Sequence, residues 1–200
     1  MLPQGRLPLT IFEPRYLEMV DDCLAQGRYL GMVQPDKRLQ PDAIGPGLYN
    51  IGCLGRITAF EEYGNGRYLI TLTGVSRFAI LAEIQEQRSY RRVRAELSSF
   101  SDDLKPPASS ELPFPRQELI DALLRYFTAA GIDANWDAIG LMKDVELLTS
   151  LCMVCPFSVE EKQALLEAEN NTLRAMTLKT LLEMAAFGSR SAAFLAPKIN

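Results

Sequence analysis

The stretch from Ser101 to Pro113 limits what this chain can fold into more than any other. It holds three prolines and three serines and cannot sustain a regular element, so it reads as a connector. Before it the sequence reads mostly as strands, with one helix inserted; after it, as helices. Strands followed by helices, rather than alternating with them, predict an α+β chain. The expected limits are 1–103 for a β-rich part, 104–114 for the connector, 115–188 for a helical bundle and 189–200 for a loosely held tail.

In the β-rich part, Leu7–Phe12 is a strand candidate. Pro14 suits the first position of a helix because its missing N–H needs no partner there. That helix should run to Ala25, with Tyr16, Val20, Cys23 and Leu24 on one face and Gly27 past its end. Tyr29–Val33 and Leu48–Tyr63 follow as strands, with Gly52 and Gly55 marking bulges or close backbone approach. Asn65-Gly66 predicts a hairpin turn whose two central residues need positive φ. Arg67–Thr73, Phe78–Ile84 and Tyr90–Leu97 complete a series of short strands, which favours a small curved sheet or a partly closed barrel.

In the helical part, Leu119, Ile120, Leu123, Leu124 and Phe127 form one stripe, and Gly131 follows as a stop. Val145–Val154 is apolar nearly all round, as a central buried helix would be. Ser158 with Glu161 is a capping-box pattern. Asn171 or Thr172 starts a last helix, with Leu173, Met176, Leu181 and Met184 expected inward and Gly188 past its end. Short connections predict four antiparallel helices.

Composition removes several function classes. Among 200 residues there is no histidine, which excludes Ser-His-Asp and Cys-His catalysis and every His-containing metal site. The net charge is −4, and the acidic excess falls after Lys105, so the chain has no overall basic footprint for nucleic acid. No P-loop pattern occurs. The segment after Met1 lacks the apolar region of a signal peptide, and no apolar run is long enough to span a membrane. Cys23, Cys53, Cys152 and Cys155 sit in apolar segments without a disulfide framework. A cytoplasmic protein without cofactor, metal or catalytic residue is expected.

Two local patterns need weighing. Cys152 and Cys155 have C-x-x-C spacing, but the pair closes an apolar helix and lacks further ligands, so it reads as two small core residues. Arg88, Arg91, Arg92 and Arg94 surround Tyr90; on a strand, Tyr90, Arg92 and Arg94 share a face. That face could hold an anion or RNA, although a salt-bridged surface is the plainer reading.

The residues Leu7-Pro8-Leu9-Thr10-Ile11-Phe12-Glu13-Pro14-Arg15-Tyr16 resemble the signature of the Lon protease N-terminal domain, the LON substrate-binding domain. Gly52, Gly55 and Ile57, Gly66-Arg67 with Ile70, Gly74 with Arg77-Phe78, Pro156-Phe157 and Lys162–Glu167 continue the resemblance. It implies a PUA-like β pseudo-barrel followed by a helical bundle. It also implies a non-catalytic module that captures unfolded or extended polypeptide, or a dedicated protein partner, without the ATPase and peptidase domains. The family pattern carries about one more strand ahead of Leu2; either the start codon is placed late or that strand is absent, and if it is absent an edge of the barrel lies unpaired.

Within the signature, Pro14 opens the helix, Glu13 favours its N-terminus through the dipole, and Arg15 is free to pair with a carboxylate. Phe12, Tyr16, Tyr63, Tyr68 and Tyr90, with Arg92 and Arg94, are the candidate binding residues. They would act either in a crevice between barrel and bundle or on the exposed β face. The alternative, RNA or anion binding, requires a basic face joining Arg88, Arg91, Arg92 and Arg94 to Arg67 or Arg77. It fails if those arginines are paired with acids such as Glu83, Glu86 and Glu96. The oligomeric state is open.

Overall fold

A computed structural model describes residues 1–41, 45–84, 88–105 and 114–195, the side chains of 189–195 excepted. The chain divides into two compact units, Met1–Pro106 and Pro107–Asn200. Most of the expected connector, and residue Glu86, lie outside the described residues.

The first unit is an antiparallel five-stranded sheet with one helix packed on it. Its elements are β1 (Arg6–Ile11), α1 (Pro14–Ala25), β2 (Tyr29–Met32), β3 (Ile51–Tyr63), β4 (Arg67–Ile84) and β5 (Arg92–Glu96). The order is β1-β4-β3-β2, and β5 also pairs with β4. Ala79 is registered with both Ile51 of β3 and Glu96 of β5. β1 and β5 therefore follow one another along the edge of β4 opposite β3. The described pairings leave the sheet open.

One strand was expected as two. Arg67–Thr73 and Phe78–Ile84 are a single strand of 18 residues. The apparent break is a bulge: Leu54 pairs with Ser76 and Gly55 with Gly74, leaving Val75 as the extra residue. A Cβ on Gly74 would collide with the Leu2 carbonyl, so the N-terminal residues fold directly over the bulge. At the hairpin, Asn65 and Gly66 have φ of 88° and 67°, as the turn chemistry requires. Tyr63 pairs with Arg67, however, so the loop is three residues long.

Ile70 and Leu72 of β4, Ile57 of β3, Leu30 of β2 and Ile11 of β1 form the core with Val20 of α1. Tyr16, Leu17, Met19, Cys23 and Leu24 pack around it from α1, the periodic face that the sequence predicts. Residues Ser98–Leu104 form a 3₁₀ helix, so the start of the expected connector is ordered against the sheet. It is fixed by a buried ion pair: the Arg77 guanidinium donates to Asp103 at 2.8 and 2.9 Å, and the Arg77 amide donates to the same carboxylate at 2.9 Å. Phe100 lies under the guanidinium, 4.8 Å from ring centroid to Cζ.

The second unit contains α2 (Arg116–Ala130), α3 (Trp136–Leu141), α4 (Asp144–Val154), α5 (Val159–Glu167) and α6 (Asn171–Leu195). The described residues thus hold five helices where four were expected. The additional one, α3, starts at an N-cap, with Asn135 Oδ1 accepting from the Ala138 amide at 2.9 Å. The capping box at α5 is formed, with the Ser158 amide donating to Glu161 at 2.7 Å and the Glu161 amide to Ser158 at 3.2 Å. Arg174 is buried and donates to the Leu165 carbonyl at 2.8 Å and the Ala168 carbonyl at 3.3 Å, closing the C-terminus of α5 onto α6.

Four expectations are corrected here. α6 does not stop at Gly188 but continues to Leu195, because one glycine costs only about 1 kcal/mol inside a helix. The buried face of α6 is Ala175, Leu178, Leu182 and Ala186, whereas Leu173, Met176 and Met184 are exposed. α2 likewise buries Leu119, Ala122, Leu123 and Tyr126, with Leu124 outside. Both helices carry more apolar residues than one face holds, so periodicity misplaced the face of α6 and, in α2, placed Leu119 and Leu123 correctly but Leu124 not. α4 buries Leu147, Leu148, Leu151 and Cys152, but Val154 is 81% exposed, so this helix is not buried all round.

Candidate functional site

A cleft of about 1140 Å³ opens in the β-rich unit. α1 contributes Arg15, Tyr16, Met19, Asp22 and Cys23; β2 contributes Tyr29, Leu30 and Gly31. Arg88–Arg92 and Val93 of β5 line it as well, and Pro46 and Leu48 lie at its margin. A second hollow of about 370 Å³ shares Leu48, Glu83 and Arg91 with it. Arg91 is fixed at this junction by donation to Glu83 and, at 2.6 Å, to the Pro46 carbonyl.

The strand β2 brings a backbone edge into the cleft. Among the described residues it pairs with β3 only. The Arg28 carbonyl accepts from the Ile57 amide at 2.8 Å. By the antiparallel alternation, Leu30 and Met32 then turn their peptide groups to β3, and Tyr29 and Gly31 turn theirs to the open edge. Cys23 Sγ donates to the Tyr29 carbonyl at 3.0 Å. Tyr29 is 46% exposed, with the Arg56 guanidinium 5.9 Å from its ring centroid.

The segment before β5 is strapped to α1 by polar contacts. Arg88 pairs with Glu18 at 3.3 Å and Asp22 at 3.2 Å, Ser89 donates to Glu18, and the Tyr90 hydroxyl donates to Asp22 at 2.6 Å. The bonds from Ser89 and Arg88 hold the Glu18 carboxyl below its usual range. Burial, then the bond to Asp22, pushes the Tyr90 phenol up to about 12. Burial, reinforced by Asp22, raises the Cys23 thiol.

Of the candidate residues, Tyr16, Tyr90 and Arg92 line this one cleft. Tyr90 lies ahead of β5 rather than on it, so it does not share a strand face with Arg92 and Arg94. Phe12 is 62% exposed but is not in the lining. Tyr63 is exposed near the hairpin, and Tyr68 packs on the core with Phe60 edge-on at 5.0 Å. Arg94 is exposed on β5. Sequence reasoning passed over Tyr29 and Met19, and named Glu83 only as an acid that could pair with the arginines, as it does with Arg91. Tyr29 opens a strand that the pattern did identify, and its place at the open edge was the available signal.

Three of the arginines named for a basic face are paired with acids. Arg77 is buried against Asp103, Arg88 is held by Glu18 and Asp22, and Arg91 by Glu83. Arg92 and Arg94, of the same cluster, are exposed. Cys152 and Cys155 are buried, and burial pushes their thiols up to about 12 and about 11. Among the described residues, no group of three or more His, Cys, Asp or Glu could hold a metal ion, and no helix is long and apolar enough to cross a membrane.

The cleft thus sets Tyr16, Tyr29 and Tyr90 beside the open edge of β2 on an α+β scaffold. The family model of the ATP-dependent protease La (LON) substrate-binding domain matches residues 1–183, and the chain belongs to this family. The Lon protease of Syntrophus aciditrophicus (strain SB) is 25% identical over 197 residues, covering 94% of this chain and 25% of that protein. The chain spans a quarter or less of the length of the curated relatives it matches. Among solved structures, the Lon N-terminal domain protein from Xanthomonas campestris aligns with a TM-score of 0.56 at 22% identity, over 90% of this chain and 91% of that one. The N-terminal domain of the Mycobacterium avium complex Lon protease aligns with a TM-score of 0.60 at 15% identity, over the same shares. Both show the fold.

Proposed function

We propose that this chain captures extended polypeptide in the cleft of its β-rich unit. The observation that carries this reading is the open edge of β2, set in a cleft with Tyr16, Tyr29 and Tyr90 among its lining. An extended segment can add to such an edge through its main chain, while its side chains meet the aromatic rings. Main-chain recognition is indifferent to sequence, which suits a module that meets many unfolded chains. Membership of a family named for substrate binding in an ATP-dependent protease supports the same reading.

The reading has finer parts. The open sheet with α1 packed over it is taken as a PUA-like pseudo-barrel. The free thiols suit the reducing cytoplasm. The role would be that of an adaptor in protein quality control, passing captured chains to a protease.

The test is fluorescence anisotropy of a labelled, permanently unfolded protein titrated with this chain at low and high salt. Saturable, salt-insensitive binding that weakens at least tenfold, or about 1.4 kcal/mol, in Tyr29→Ala is expected. No binding at about 100 μM, weaker than about −5.5 kcal/mol, overturns the reading.

A further inference from the structure

The cleft of the β-rich unit has a second main-chain edge. Among the described residues, β5 pairs with β4 only. The Ile80 amide donates to the Asn50 carbonyl at 2.8 Å, so Ile80 turns its peptide group toward β3. Its neighbour Ala79 then turns toward β5, where it is registered with Glu96. By the antiparallel alternation Glu96 faces β4, and Val93 and Ala95 turn their peptide groups away from it. The irregularity between Ile80 and Ala82 lies in β4 and leaves the alternation of β5 unbroken. Val93 and Ala95 line the same cleft as Tyr29 and Gly31 of β2. Leu54 of β3 and Phe78 of β4, which stand between the two edges in the order of the sheet, line it too.

We propose that the captured polypeptide is a single strand inserted between β2 and β5, bonded to both edges, which closes the open sheet into a barrel. The proposal rests on the reading of this cleft as a polypeptide site. A strand turns the peptide groups of successive residues to opposite sides. An inserted strand therefore bonds β2 with one residue and β5 with the next, and closure leaves neither edge bare. A helix, whose peptide groups bond internally, satisfies neither edge.

The outward edge of β1 is guarded instead. The Gly74 amide donates to the Gly5 carbonyl at 2.8 Å, so the same alternation turns Arg6, Pro8 and Thr10 outward, and Pro8 has no N–H to offer. Tyr29, Gly31 and Ala95 are exposed and Val93 is half-buried, so the cleft edges carry no such guard. The chemistry recognised is a run of consecutive unsubstituted amides in an extended chain, with alternate side chains meeting Leu54 and Phe78. Proline anywhere in the inserted stretch loses a bond. Addition to β2 alone would feel proline only at every second residue.

The experiment is amide hydrogen exchange of the whole chain, read residue by residue by NMR, with and without saturating reduced and carboxymethylated α-lactalbumin, a permanently unfolded polypeptide. Exchange at Tyr29, Gly31, Val93 and Ala95 should slow together, at least about tenfold. Anisotropy of the labelled probe adds a second readout. Ala95→Pro removes an outward N–H of β5 and spares its bonds to β4, and should weaken binding at least about tenfold. Ala95→Val keeps that N–H and should bind as the wild type does. Circular dichroism verifies that both variants fold, and the exchange pattern of the wild type decides the matter if Ala95→Pro does not. Protection at Tyr29 and Gly31 alone, or an Ala95→Pro chain that folds and binds unchanged, overturns insertion and leaves capture at the single edge of β2 standing. Saturable binding that protects neither pair overturns both. No binding at about 100 μM overturns the capture reading itself, and this proposal with it.

Discussion

The Tyr90 hydroxyl donates to the Asp22 carboxylate at 2.6 Å across 68 residues of sequence, tying the segment before β5 to α1 along the cleft. The phenol, ordinarily near 10.0, is pushed up to about 12 by burial and by this bond. A raised folded value means that the neutral form is the stabilised one. Its contribution is complete below 10.0 and is lost as the pH climbs toward about 12. Ultraviolet titration of phenolate, wild type against Tyr90→Phe, should show one late-ionising tyrosine missing from the variant. Removing the bond should also cost about 1 kcal/mol in urea unfolding. Coincident titration curves would refute the assignment.

Glu18 behaves in the opposite sense. Ser89 and Arg88 favour its ionised form, so its carboxyl lies below the ordinary 4.5. A lowered folded value contributes stability above 4.5, and that contribution is lost as the pH falls through the lowered one. Hydrogen exchange at residues 88–90 should therefore accelerate on acidification, beyond the intrinsic pH dependence of exchange. Glu18→Gln should show that extra opening already at neutral pH. Protection unchanged in the variant would remove Glu18 from the strap.

The Arg77–Asp103 pair has side-chain exposures of only 6% and 12%. Breaking such a pair leaves a buried charge without its partner, so Arg77→Met should cost about 3–5 kcal/mol. Replacing both partners by R77M/D103N, which keeps an acceptor for the Arg77 amide, should recover most of that loss, since the penalty belongs to the orphaned charge rather than to the missing attraction. Urea denaturation of the two variants checks it; a double variant as unstable as the single would contradict the account.

The two cysteines of the C-x-x-C pattern should be inert in the folded protein. Thiolates react, and burial holds Cys152 and Cys155 at about 12 and about 11. Cys53 is also buried, and Cys23 is half-buried with its thiol bonded to the Tyr29 carbonyl. Mass spectrometry after iodoacetamide treatment should find native protein modified at Cys23 alone and unfolded protein modified at all four positions. Rapid labelling of Cys155 under native conditions would reopen a redox role.

What could be read in advance follows from the range of the forces involved. Local signals were legible: Pro14 at the start of α1, positive φ at Asn65 and Gly66, and the Ser158–Glu161 box each depend on a few neighbouring residues. Helix phase was not, because Leu173 and Leu178 are equally apolar and only the packing of α2 decides which is buried. The site was half legible for the same reason. Tyr16 and Tyr90 could be named as aromatic, but they meet only through the bond from Tyr90 to α1 and the pairing of β5 with β4.

Gly74 and Gly66 separate two reasons for needing glycine. Gly66 has φ of 67° and open space where a Cβ would stand. Alanine there suffers only the left-handed backbone, about 1–2 kcal/mol. Gly74 is in the strand, where the backbone suits any residue, but its Cβ would meet the carbonyl of Leu2. That neighbour is main chain, bonded nearby through the Gln4 amide to the Gly74 carbonyl at 2.8 Å, so it cannot turn aside as a side chain would. Gly74→Ala should cost about 1–3 kcal/mol and expose the otherwise buried Leu2. Thermal denaturation ranks the two variants, and proteolysis near the N-terminus distinguishes them. Release of residues 1–5 is expected in Gly74→Ala only, and the same release in Gly66→Ala would show that the N-terminus is held by something other than the bulge.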